Sequence, residues 1–173
     1  MPYSLQIMPR PHCEFIHAQQ LPWEAAPFAG AFWRGIEVKI LSCDAVSGAC
    51  SLLLKIPAAH RVADFVLTAM SEWFVLDGSF VLGGETFGLD SYTCVPAHWP
   101  CRGFSSDAAV VLGFFAAQPD AEPLGAATAP PDVSLHIPRI DTHNTPWTSH
   151  DIDPSVQFFA PQSQGIAQCC RDR

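Results

Sequence analysis

Seven cysteines and seven histidines are the side chains of this protein with the widest chemical reach. The cysteines stand at 13, 43, 50, 94, 101, 169 and 170, with no Cys-x-x-Cys pair. An odd count does not make a disulfide framework, so buried or free thiols in a reducing compartment are expected. His143 to His150, with Asp141, Asp151 and Asp153, is rich in metal-friendly groups. It lacks ligand spacing and lies in a polar, Pro-flanked stretch, which predicts a solvated tail. His-Glu-x-x-His, the P-loop, Gly-x-Gly-x-x-Gly and Gly-x-Ser-x-Gly are absent, and no Ser/His/Asp signature stands out. No local motif announces a chemistry, so any site must be assembled by the fold.

The elements that would do the assembling are short and extended. Ile36 to Leu41 alternates apolar and polar residues as a half-buried strand does. Asp44 to Gly48 is a turn signal and Ser51 to Ile56 a second strand, which Pro57-Ala58-Ala59-His60 is expected to break. Phe65 to Met70 is a short apolar run. Glu72 to Leu76 is β by composition, Asp77-Gly78 is the kind of pair that closes a tight hairpin, and Ser79 to Leu82 returns. Gly83-Gly84 turns again. Glu85 to Phe87, Tyr92 to Val95 and the continuous apolar run Ala108 to Phe115 complete the series. Short strands with Gly/Pro punctuation and no long helical pattern point to a barrel or sandwich.

Composition sets the outer limits. A chain of 173 residues is enough for one domain, and 49% hydrophobic residues can fill a core. The net charge of −8, without a Lys/Arg cluster, removes the counterion-release drive for nucleic acid and disfavours anionic membranes. No apolar run reaches the roughly 18 residues of a transmembrane helix. The first fifteen residues carry prolines at 2, 9 and 11 and do not read as a signal peptide, so a cytoplasmic location is expected. Ile16 to Trp23 and Ile140 to Trp147 share Ile-(x5)-Pro-Trp, a candidate repeat.

Ser71-Glu72-Trp73-Phe74-Val75-Leu76-Asp77-Gly78 looks like the end of one cupin motif. Leu89 to Cys101 looks like a second, which in cupins is built on Gly-Asp and Pro-x-Gly-x-x-His. The opening, Leu-Pro-Trp followed by Val-Lys-Ile-Leu-Ser and Asp-x-x-x-Gly, is similar to the ChrR-like cupin group. The resemblance spans about Phe15 to Phe115. It implies an all-β, cupin-type double-stranded β-helix, a jelly-roll barrel, in which His-x-His, a Glu and a later His ligate a divalent metal. It also brings the group's anti-sigma-factor domains, its ring- or diketone-cleaving dioxygenases and its frequent tandem units.

This chain departs from the pattern at the ligands. Against the motifs, the Glu slot falls on Ser71, the paired His slots on Phe65 to Leu67, and the last His slot on Cys101. Hydrocarbon donates nothing to a cation that needs three or four N, O or S donors, so no cofactor is expected. Phe65, Leu67, Ser71, Trp73 and Cys101 are expected instead to line an apolar pocket for a small apolar or aromatic molecule, or simply to fill the lumen. His60, His98 and Cys101 are the candidate donors if a metal, iron or zinc, is held after all. Glu72 lies beside the ligand slot, so strand alternation turns it to the opposite face.

The expected organisation is an irregular arm over 1–35, a barrel over 36–117, a linker over 118–139, and a tail over 140–173 that would be the start of a second unit. Three functions follow: a metal-free small-molecule binding or regulatory module, a metal-dependent dioxygenase of the ChrR-like group, or a structural half of a two-cupin protein. A homodimer is expected from the habit of such barrels of burying an edge strand.

Overall fold

The computed structural model describes residues 16–127, 129–149 and 157–159. In chain order its strands are β1 (Glu24–Ala25), β2 (Glu37–Cys43), β3 (Cys50–Val62), β4 (Phe65–Leu67), β5 (Ser71–Leu82), β6 (Glu85–Phe87), β7 (Ser91–Val95), β8 (Phe104–Phe115), β9 (Ala121–Pro123), β10 (Ile137–Asp141), β11 (Trp147–Ser149) and β12 (Gln157–Phe159). One antiparallel sheet runs β1-β2-β3-β8-β5-β7-β10, with β6 on β5. The two-stranded ladders β4-β9 and β11-β12 complete the pairing. The sheet curls so that the inward side chains of its strands meet in one core.

Period-2 alternation places that core. On β3, Cys50, Leu52, Leu54 and Ile56 are buried while Lys55 between them is exposed. On β5, Ser71, Trp73 and Val75 share the buried face. On β2 the alternation fails after Val38: Ile40 is exposed beside a register shift, and Lys39 is buried instead. The reason is the N-terminal segment, where the Ala18 carbonyl accepts from Lys39 Nζ at 2.8 Å and the Trp23 ring lies 4.8 Å from the same ammonium.

The turns at Asp44 to Gly48 and Gly83-Gly84 form as the sequence predicts. Asp44 Oδ1 accepts from the amides of Val46 and Ser47, each at 2.8 Å, and Leu82 faces Glu85 across the second turn. Two other expectations are corrected. Asp77-Gly78 does not close a hairpin, because β5 runs on through it from Ser71 to Leu82. The pair forms a bulge, with register shifts on β8 before Asp77 and after Gly78. Gly78 has φ +69°, and a Cβ there would collide with the Ala108 carbonyl oxygen. Nor does Pro57 break the second strand, which continues to Val62 across an irregularity between Ala58 and Arg61.

The described stretches 16–35 and 118–139 join the same body. From 16–35 come β1, which pairs β2, and a 3₁₀ turn at Ala31–Trp33 that buries Phe32 and Trp33. From 118–139 come β9, which pairs β4, and part of β10, which adds to β7. Trp33 Nε1 donates to the Pro119 carbonyl at 2.6 Å, tying the two segments to each other. Among the described residues no helix is long and apolar enough to cross a membrane.

Candidate functional site

The interior end of the barrel gathers side chains from five places. His60 comes from β3, Phe65 and Leu67 from β4, Ser71 and Trp73 from β5, Phe104 from the start of β8, and Phe32 from the turn before β2. Phe32 is the hub. Its ring stacks on Phe65 with centroids 4.9 Å apart, meets Phe104 edge-on at 5.2 Å, and is tilted against Trp73 at 5.6 Å. Phe104 stacks in turn on Phe80 at 5.3 Å, and Phe80 on Phe87 at 4.9 Å. Offset and edge-on contacts at these spacings are the favoured aromatic geometries.

Phe65, Leu67, Ser71, Trp73 and Cys101 are all buried. Phe65 and Cys101 meet in an antiparallel bridge, each amide donating to the other's carbonyl at 2.9 Å. The His98 amide donates to the Leu67 carbonyl at 2.8 Å, so the loop from 98 to 101 is laced along β4. His98 has φ +60°, a conformation that favours glycine, at the position where the cupin motif carries one. Glu72 turns to the other face of β5, where its carboxylate accepts from Tyr92 Oη at 2.8 Å. Ser71 to Phe74 pair with β7 and β8 on either side, which fixes these directions.

Electrostatically the site is neutral. Burial pushes the Cys101 thiol up to about 12, so it is not a thiolate near neutrality. Burial lowers His60, opposed by a hydrogen bond to the Phe32 carbonyl. Among the described residues four buried polar atoms have no hydrogen-bond partner: Ser71 Oγ, Trp73 Nε1, His60 Nε2 and His98 Nδ1. Beside the core, against which Trp99 packs, the His136 ring lies flat on Trp99 with centroids 3.9 Å apart, and burial lowers this imidazole too, against the pull of Glu85.

Comparison with solved structures places the fold. No protein-family profile matches the chain, and no curated protein matches its sequence. A candidate dioxygenase from Nostoc punctiforme PCC 73102 superposes with a TM-score of 0.60 and 21% identity, over 67% of this chain and 42% of that one. The polyketide cyclase RemF from Streptomyces resistomycificus gives 0.51 and 15%, over 68% and 89%. An RmlC-like cupin from Ralstonia eutropha JMP134 gives 0.47 and 20%, over 57% and 65%. The likeness to the first two is one of fold, a curled antiparallel jelly roll of the cupin type, in a chain that spans less than half of the Nostoc protein's length.

The metal that the cupin resemblance implies does not fit these residues. Phe65 and Leu67 have no donor atom, Ser71 offers a neutral hydroxyl, and the Cys101 thiol is held protonated. Among the described residues no three His, Cys, Asp or Glu side chains converge, so His60, His98 and Cys101 do not form a donor set. In the tail, Asp141 accepts from the amides of His143 and Asn144 and from the Asn144 side chain, which commits it to a turn. His150, Asp151, Asp153, Cys169 and Cys170 lie outside the described residues. Of the described cysteines, 50, 94 and 101 are buried and 43 is exposed.

The sequence reading missed Phe32 and Trp33, because nothing periodic surrounds them. The signal available was the pair of glycines, 30 and 35, that brackets the two aromatics.

Proposed function

We propose that this cupin-fold domain is a metal-free binding or regulatory module whose barrel interior takes a small apolar or aromatic molecule. The observation that supports this most is the lining of the former ligand positions. Phe65, Leu67, Trp73 and Cys101 present hydrocarbon, indole and a neutral thiol, with Ser71 as the one hydroxyl among them. A surface of that kind attracts an uncharged ring and repels a hydrated cation, whose shell would be stripped without replacement.

Elemental analysis of the purified full chain tests the first half. Metal far below one equivalent per chain after incubation with Fe(II) and Zn(II) is expected. One equivalent tightly held inside the barrel, with oxygenase activity, would return the protein to the metal-dependent dioxygenases. Calorimetric titration with single-ring aromatic compounds tests the second half, with binding lost in Trp73→Ala.

A further inference from the structure

Of the four unpartnered buried polar atoms among the described residues, two belong to rings that pack on Phe32 and a third lies two residues along β5 from one of them. Ser71 Oγ and Trp73 Nε1 lie on the same inward face of β5, two residues apart, in side chains 0% and 2% exposed. The Trp73 ring touches Phe32 at 5.6 Å, and the His60 ring lies edge-on to Phe32 at 6.1 Å. An indole N–H and an imidazole nitrogen thus lie among aromatic rings, with a buried hydroxyl beside the indole on the same strand, and no protein group answers any of the three. Folded chains rarely leave buried polar groups unpaired, because each gives up its water for nothing.

The plug that walls them in is unusual in its attachment. Phe32 sits on a three-residue turn between Gly30 at φ +108° and Gly35 at φ +79°. The segment is fixed from outside: Asp120 accepts from the Ala29 amide at 2.9 Å, the Ala121 amide donates to the Ala29 carbonyl at 2.8 Å, and Trp33 Nε1 is held by Pro119. A Cβ at Gly30 would collide with the Ala121 carbonyl, so that anchor tolerates no side chain. These anchors hold Gly30 and Trp33 in place, and the Phe32 ring between them reaches in among Phe65, Trp73 and Phe104. His60 reaches Phe32 through its backbone carbonyl, which leaves Nε2 as a free acceptor.

We infer that Phe32 is a built-in stand-in for the ligand: a flat single-ring aromatic molecule bearing a carbonyl or hydroxyl displaces its side chain and gives Trp73 Nε1 and Ser71 Oγ the acceptor they lack. This rests on the binding reading above and adds to it the ligand's polar group and the residue it competes with. The ring of such a molecule replaces the stack on Phe65 and the edge contact with Phe104, while its oxygen falls between the two donors of β5. The empty chain stays closed with its donors unmet, and an unsubstituted hydrocarbon ring gains nothing over Phe32 itself.

The test uses the full chain and two probes of matched shape, acetophenone and ethylbenzene, followed in ¹H–¹⁵N spectra of the tryptophan indoles, with Trp73 assigned by Trp73→Phe. Acetophenone is expected to bind about tenfold more tightly than ethylbenzene, the factor supplied by one neutral hydrogen bond. It should move the Trp73 indole proton downfield and leave Trp33, already bonded, in place. Phe32→Leu, and Phe32→Ala where it folds, should raise the affinity for both probes by about tenfold, because the competing side chain is gone. Equal affinities for the two probes, an unmoved Trp73 resonance, or unchanged affinity in both Phe32 variants would overturn the inference while leaving the binding reading intact. Binding of neither probe to wild type or to the Phe32 variants would sink both.

Discussion

Two groups of buried polar side chains face the interior of the same sheet and are treated in opposite ways. Toward β10 and the β5 bulge, every atom is spoken for. Thr93 Oγ1 donates to the Ile137 carbonyl at 2.7 Å, and Ser106 Oγ donates to the Ser79 carbonyl at 3.4 Å while accepting from the Ala108 amide at 3.1 Å. On the inward face of β5, Ser71 and Trp73 are as deeply buried and answered by nothing. The first arrangement is what a finished core looks like, with polar groups retained because they hold segments together. The second is what a binding surface looks like when its own chain covers it.

Truncation shows the largest difference that the rings themselves make. Phe80→Ala removes a ring stacked between Phe87 and Phe104 and should cost about 3–5 kcal/mol in urea unfolding. Phe32→Ala should cost visibly less, because the cavity it opens is lined by donors that water can serve. Equal losses would erase the distinction between core and plug.

Removing single hydroxyls sharpens the comparison at smaller amplitude. Thr93→Val leaves the Ile137 carbonyl unpaired and should cost about 1–3 kcal/mol. Ser71→Ala deletes an unpartnered hydroxyl and should be neutral or stabilising in the same assay. A Ser71→Ala loss as large as that of Thr93→Val would mean that Ser71 has a partner after all.

Acidification should act next. Burial lowers both His60 and His136 below their ordinary 6.5. The unfolded chain therefore takes these protons first, and stability falls as the pH drops through about 6.5 toward the folded values, levelling off below them. Urea midpoints measured on either side of that range should show it, and His60→Leu with His136→Leu should flatten the slope. The weakest expected effect lies at the surface. Breaking the exposed Arg102–Asp64 pair, 3.3 Å apart, with Arg102→Ala should change stability by less than about 1 kcal/mol.

Much of the barrel was legible because its signals are local. The parity that turns Ser71, Trp73 and Val75 inward and Glu72 outward needs only the pleat of one strand. The turn at Asp44 to Gly48 needs only an aspartate two and three residues before the amides it caps. Asp77-Gly78 shows where local chemistry stops. The pair correctly signals a residue at positive φ, but whether that residue reverses the chain or bulges it depends on β8 lying alongside, and Gly78 is pressed against Ala108 there.

The sequence by itself determined the strand-forming segments and the inward faces of β3 and β5, since both follow from residue type and a period of two; the loss of imidazole and carboxylate at Phe65, Leu67 and Ser71 is what the resemblance to the cupin motifs implies. Only the tertiary structure decided that Phe32 packs among Phe65, Trp73 and Phe104 and that Pro119 to Ala121 hold the segment carrying it. Those contacts join residues 86 positions apart in the case of Trp33 and Pro119. No pattern within a short window encodes them, because they are selected by the shape of a cavity that exists only once the sheet has curled.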